Sequence, residues 1–289
     1  MKRRPSHAGS WYSHHRDELA SQLAGWLTQA DECAGAARAV IAPHAGYAFS
    51  GPTAAWAYKH IDATAIRRVF VLGPSHHVYM TRCALTKCKT YATPLGEIEI
   101  DTAACSKLMA SAMFDEMELH VDEDEHSIEL HLPYIVQVMQ GQPFKLVPIL
   151  VGALSVQSEQ QYGRLLAPLL LDPQNLFVIS SDFCHWGRRF RFTHFDRSHR
   201  HIFESIEALD RQGMTLIEKQ DAAGFAAYQQ EFGNTICGRH PIALLLHILQ
   251  GCTERKHELR FVRYAQSSQV RSMDDSSVSY ASAIVWATE

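Results

Sequence analysis

Residues 69–80, VFVLGPSHHVYM, decide how this chain is read. An apolar run of four, rich in β-branched and aromatic side chains, stops at Gly73-Pro74 and is followed at once by His76 and His77. Such a run suits a buried strand, and its abrupt stop leaves two imidazoles at the carboxyl end. The pattern occurs twice more. Residues 38–42 (RAVIA) run into Pro43-His44-Ala45-Gly46-Tyr47, and residues 176–180 (LFVIS) run into Ser181-Asp182-Phe183-Cys184-His185-Trp186.

The opening run belongs to a strand over 67–72, and one further strand signal lies at 145–151. Apolar spacing near 3.6 predicts a first helix on Leu19, Leu23, Trp26 and Leu27, and others over 53–60, 102–113, 125–140, 156–170, 198–219 and 241–250. Pro241 opens the last of these and Gly251 closes it. Residues 259–265 and 278–286 flank a polar loop and predict an antiparallel pair closing the sheet. Alternating strands and helices predict an α/β fold: a mixed, mainly parallel central sheet covered by helices on both sides, in one domain over 1–289. In such sheets the ligand crevice lies outside the carboxyl ends of the strands.

Composition excludes several classes. Lys+Arg 27 against Asp+Glu 31, a net charge of −4, leaves no basic footprint for nucleic acid or an anionic membrane. No apolar window is long enough for membrane insertion, and the basic start MKRRPSHAGSWYS has no apolar stretch behind it. Seven scattered cysteines without a C-x-x-C pair point to reduced thiols in the cytoplasm. Histidine is the outlier, at 17 of 289 residues.

The three strand ends bring His44, His76 or His77, and Asp182 with His185 to one pocket, where imidazoles bind a metal or move protons. Cys237, just before a helix start whose positive end favours the thiolate, offers a third ligand. Cys184 is the alternative, although its side chain could equally face the core. In DEDEHSIELHLPY (122–134), Asp122 or Asp124 is expected to cap the helix that follows, and Pro133 to kink or end its first part. His126 and Glu129, three apart, could share a face as supporting partners or an acid/base pair, with His131 facing elsewhere. His77, Arg239 and His240 complete the supporting set. Arg188 and Arg189 read as a surface loop able to accept an acidic or phosphorylated partner. His7 is left unassigned, and the echo between SHAGSWY (6–12) and PHAGYAF (43–49) is too short for a repeat.

PHAGYAFSG (43–51), LGPSHH (72–77), DEDEHSIELHLPY (122–134), SSDFCHWG (180–187), NTICGRHPI (234–242) and YAQSSQ (264–269), in this order, resemble the Memo family, mediators of receptor-driven cell motility. The resemblance implies a domain similar to class III extradiol dioxygenases, which hold a non-haem iron in an equivalent pocket. By motif it implies His44, His76 and Cys237 as metal ligands, with His185 in the place of the dioxygenase acid/base and Asp182 beside it. Dioxygenases use two histidines and a carboxylate, so a thiolate in third place shifts preference toward copper, above all Cu(I), while iron and zinc remain compatible. The resemblance implies one Cu or Fe ion per chain and redox-linked signalling in cytoplasm and nucleus. Its expected settings are cell migration, receptor tyrosine kinase signalling and the microtubule cytoskeleton, with phosphotyrosine peptides as partners. Two other classes are compatible with the residues. One is a true ring-cleaving dioxygenase, disfavoured by the missing carboxylate. The other is an adaptor without chemistry, with Arg188, Arg189 or Arg239 on a phosphate.

Overall fold

The computed structural model describes residues 1–31 and 35–288. The chain opens with β1 (Lys2–Arg3), α1 (Arg16–Gln29), β2 (Ala39–Ala42), α2 (Tyr47–Tyr58) and β3 (Arg68–Pro74). A run of short elements follows: β4 (Cys83–Thr86), β5 (Thr90–Thr93), β6 (Gly96–Ile100), α3 (Thr102–Met109) and β7 (Phe114–Met117). Then come α4 (Leu119–Asp124), α5 (His126–Glu129), α6 (Leu132–Val138), β8 (Lys145–Val151), α7 (Val156–Leu171) and β9 (Asn175–Ser180). The last third holds β10 (His185–Trp186), α8 (Ile202–Glu218), α9 (Ala222–Phe232), α10 (Arg239–Gly251), β11 (His257–Gln266) and β12 (Ser277–Ala287).

One mixed sheet runs through these strands, with the central order β6-β8-β3-β9-β2-β12. The pairings β6–β8, β8–β3, β3–β9 and β9–β2 are parallel, and β12 joins β2 antiparallel before pairing with β11. The central strands are apolar on both faces, as strands covered twice must be: Val69 to Leu72 and Leu176 to Ile179 are fully buried, with Phe70 stacked on Phe177 at 4.6 Å. Two separate helical groups cover them. α7 and α10 pack on β9 and β3, while α2 and α5 pack on β2, β12 and β3, with α1 and α6 behind α2.

Parallel pairing has one consequence that matters for the site. β2, β3 and β9 point the same way, so the segments after Ala42, Pro74 and Ser180 emerge at one edge.

Several boundaries differ from the sequence reading. α2 begins at Tyr47, not at residue 53, because Pro52 lies inside it; the lost backbone bond is offset by burying Tyr47, Ala54, Ala55, Ala57 and Tyr58. The single helix expected over 125–140 is three short ones, α4, α5 and α6, broken at Glu125 and again at Leu130-His131. Strands β4 to β7 and helix α9 carried no strong periodic signal; α3 and α8 are shorter than their predicted spans. The six described cysteines are free thiols, and Cys33 lies outside the described residues.

Gly73 is the penultimate residue of β3, where α5 presses on it: a Cβ there would meet Ser127 Oγ at 2.5 Å and Ile128 Cγ1 at 2.8 Å. Gly73→Ala is therefore expected to destabilise the fold by about 1–3 kcal/mol through overpacking. Thermal melting should fall by roughly 2–4 °C per kcal/mol, and an unchanged melt would show that α5 yields at no cost.

Candidate metal centre

His44 follows β2, His76 follows β3, and Cys237 precedes α10. Each offers one ligand atom, and these atoms all lie within 4.8 Å of one another. Cys237 Sγ is 3.2 Å from His44 Nε2, and the His44 and His76 rings are 5.1 Å apart at 75°. Donors of one tetrahedral ion sit about 3.3–3.6 Å apart on bonds of about 2.0 Å to nitrogen and 2.3 Å to sulfur, so the three could hold a metal after small side-chain adjustments.

The surrounding hydrogen bonds fix which ring nitrogen is available. Ser180 Oγ donates to the Ser127 carbonyl (2.6 Å), so toward His44 it accepts, and His44 Nδ1–H points at it (2.6 Å). Glu125 takes both the His76 backbone N–H (2.7 Å) and Nδ1–H (2.8 Å). In both rings the lone pair is therefore on Nε2, the arrangement that orients metal-ligating histidines. Burial, then the neighbouring His76 and His126, hold His44 well below the usual imidazole range, so it carries no proton that a metal would displace.

Cys237 departs from the expectation drawn from its place before a helix. Burial, reinforced by the Asp182 carboxylate, pushes the thiol well up, and this outweighs the N–H groups of Asp182 (3.2 Å to Sγ) and Gly238 that favour the thiolate. A thiolate here forms only with a cation to replace the proton. Cys184 turns the other way, into a small apolar cluster with Trp186, Ile202, Ile206 and Val270.

Asp182 and His185 flank the triad. Asp182 Oδ1 accepts the His44 backbone N–H (2.9 Å), and burial pushes its carboxyl up despite His185 nearby. His185 Nδ1 faces the carbonyls of Phe183 (2.9 Å) and Thr235 (3.0 Å), which leaves Nε2 free to take or give a proton.

Most of the acidic stretch is buried. Asp122 lies inside α4, buried, with Arg3 Nε at 2.9 Å and Thr86 and Tyr91 hydroxyls on it; Glu125, not Asp122 or Asp124, caps α5 by accepting from Ser127 N (2.9 Å). His126 and Glu129 do not pair either. The His126 ring stacks on His76 (4.4 Å, 21°), whereas Glu129 faces the N-terminal segment through Arg3, His7 and Tyr12. Burial, then His76, lower His126 to about 3. His131 faces elsewhere, into the core: it is fully buried, 6.5 Å from the His44 ring, with Nδ1 on the Tyr58 hydroxyl (2.7 Å).

His77 is exposed, 6.1 Å from the His126 ring. Arg239 and His240 line a different cleft of about 170 Å³ with Leu154, Glu159 and Phe225, where His240 Nδ1 binds Glu159 (2.8 Å). Arg188 pairs with Asp274 (3.3 Å) at the surface, and Arg189 lies over the Phe190 ring, which itself abuts His185 (5.2 Å).

A family model described as "Memo-like protein" matches residues 3–284. The chain is 52% identical to "Protein MEMO1" of Danio rerio and 50% identical to that of Homo sapiens, in both cases over 96% of this chain and 95% of the relative. "Protein memo-1 homolog" of Caenorhabditis elegans is 47% identical over 98% of this chain and 82% of its own. A crystal structure of an uncharacterized protein from Escherichia coli K12 shares the fold, with a TM-score of 0.52 at 15% identity, covering 83% of this chain and 98% of that one.

One buried group beneath the site had no signal in the sequence. Asp210, on α8, accepts from Asn234 Nδ2 (2.9 Å), Tyr264 hydroxyl (2.9 Å) and Cys184 N (3.3 Å), and so ties together the loops that carry His185 and Cys237. Burial, against those hydrogen bonds, pushes its carboxyl up to about 6. The folded protein then holds a proton that the unfolded chain releases, so stability falls as pH rises between 3.8 and about 6. This amounts to about 3 kcal/mol at 1.4 kcal/mol per unit. Denaturant unfolding of the wild type and Asp210→Asn across this window should converge at acid pH and separate above it; parallel curves would rule out the assignment.

Proposed function

The chain belongs to the Memo family, and from that premise we propose that it is a metal-binding, redox-linked protein whose ion is held by His44, His76 and Cys237. The observation that carries the reading is the pair of histidines with Nδ1 already occupied, gathered with the half-buried Cys237 so that their ligand atoms lie within 4.8 Å of one another. A His₂Cys set favours copper, with iron next and zinc compatible. A bound copper or iron ion would supply one-electron chemistry and an open position for a small ligand.

The chain's own residues handle the rest. His185, its Nδ1 proton held by two carbonyls, exchanges a proton at Nε2, and Asp182 fixes the His44 backbone while its raised carboxyl can keep or release one. Glu125 holds His76 in place; His126 stacks on His76, and His77 lies beyond it. By its family membership, the settings we propose in cells are receptor tyrosine kinase signalling, migration and control of the microtubule cytoskeleton, in the cytoplasm and nucleus, with one domain over 1–289.

A ring-cleaving dioxygenase is the second reading, supported by the free Nε2 of His185 and opposed by the thiol in the third ligand position. Oxygen uptake with a panel of catechols and Fe(II) separates the two. The phosphotyrosine adaptor reading is weaker, because Arg188 is engaged with Asp274 and Arg239 lies beside His240.

Protein purified without air is expected to hold close to one ion per chain, and His44→Ala and Cys237→Ser are each expected to lose it. Unchanged metal content in both variants would remove the site. Glu125→Gln, which leaves all three ligands, is expected to weaken binding by about 10–100-fold.

A further inference from the structure

Glu125 and Glu129, four residues apart, each clamp one histidine in the same way. Glu125 takes the His76 backbone N–H and Nδ1–H, one on each oxygen (2.7 and 2.8 Å). Glu129 takes the His7 backbone N–H and Nδ1–H, again one on each oxygen (2.9 and 3.0 Å). His7 is thus presented as a metal ligand is presented, with its Nδ1 proton fixed and the Nε2 lone pair free, and its side chain is 14% exposed.

His126 lies between the two clamped rings, 4.4 Å from His76 and 5.9 Å from His7, with its own Nδ1 nearest Glu125 Oε1 (3.5 Å). Trp11 closes one side, 4.5 Å from His126 and 5.7 Å from His7. The echo between SHAGSWY and PHAGYAF acquires a spatial meaning here. Tyr47 N donates to the Trp11 carbonyl (2.9 Å), which joins the two segments, and His7 and His44 both lie against His126, at 5.9 and 5.3 Å.

His76, Glu125 and His126 also have ligand atoms within 4.8 Å of one another. That group holds no ion of its own: Glu125 is engaged by three N–H donors, and rings only 21° from parallel cannot aim in-plane lone pairs at one point.

We propose that His7 and His126 form a second, outer station for a borderline d-block cation, with water completing its coordination. Rings with centroids 5.9 Å apart suit two Nε2 donors on one ion at about 2.0 Å each. The station rests on the function proposed above only in taking the same class of ion. It shares no ligand with the triad, so each can fail alone.

Anaerobic calorimetry with Zn²⁺ tests this, with the thiolate-to-cobalt charge-transfer band in a parallel Co²⁺ titration reporting the Cys237 position. The wild type is expected to take two equivalents, the second at least about tenfold weaker because it lacks a thiolate. His7→Gln, which keeps an N–H donor for Glu129, is expected to lose the second equivalent and keep the cobalt band, and His126→Gln to do the same. Cys237→Ser is expected to lose the band and keep the weak equivalent. Replacing His14 and His15, whose rings lie 3.9 Å apart, is expected to change neither. A single equivalent in the wild type, a second that survives His7→Gln, or one that vanishes with His14 and His15 would overturn the proposal.

Discussion

Two buried carboxylates, one capping a four-residue helix and the other its last residue, organise this end of the molecule. Glu125 is 2% exposed and Glu129 is not exposed at all, and an ionised carboxylate cannot stay in such a place without donors on its oxygens. Glu125 draws in the chain that leaves β3; Glu129 draws in residues 3 to 12, through the Arg3 guanidinium (2.6 Å), His7 and the Tyr12 hydroxyl (2.8 Å). Burial alone would raise both carboxyls. The hydrogen bonds of His76 and Ser127 on one, and of His7 and Arg3 with the Arg3 charge on the other, outweigh it and hold each at about 2. The rings that surround the triad owe their orientation to this pair.

The strand ends were legible because parallel strands covered twice leave an unbroken apolar run, and the run in VFVLGPSHH stops where the polar residues begin. His44, His76 and Cys237 could be singled out by residue type and by their place after strands or before a helix. What the sequence concealed depends on partners far along the chain. Asp122 reads as a helix cap until Arg3, 119 residues away, is found on its oxygens. Cys237 reads as an activated thiol from its helix alone, while its burial is decided by β9 and the loop after it. His131 and Asp210 have no local signal, since their partners, Tyr58, Asn234 and Tyr264, lie on other elements.

The short strands β4 to β7 were missed for a related reason. TYAT and GEIEI are too brief and too polar to show a period, and they are held as strands by their neighbours: β5 by β6, and β6 by the start of β8 at Lys145 and Leu146. Pro52 misled the other way, because local chemistry marked a helix start where packing kept the helix going.

The triad joins segments very far apart in the chain, with Cys237 lying 193 residues from His44. Loop closure over such distances is slow and brings no reward until the parallel core has formed. A nascent chain therefore offers no ready-made claw to an ion, and the surroundings of Sγ take shape only as β2, β3, β9 and α10 lock together. Assembly comes first and capture last. For the ion proposed at the triad, this order would set the protein apart from small domains that chelation nucleates, and removing such an ion should leave the scaffold standing.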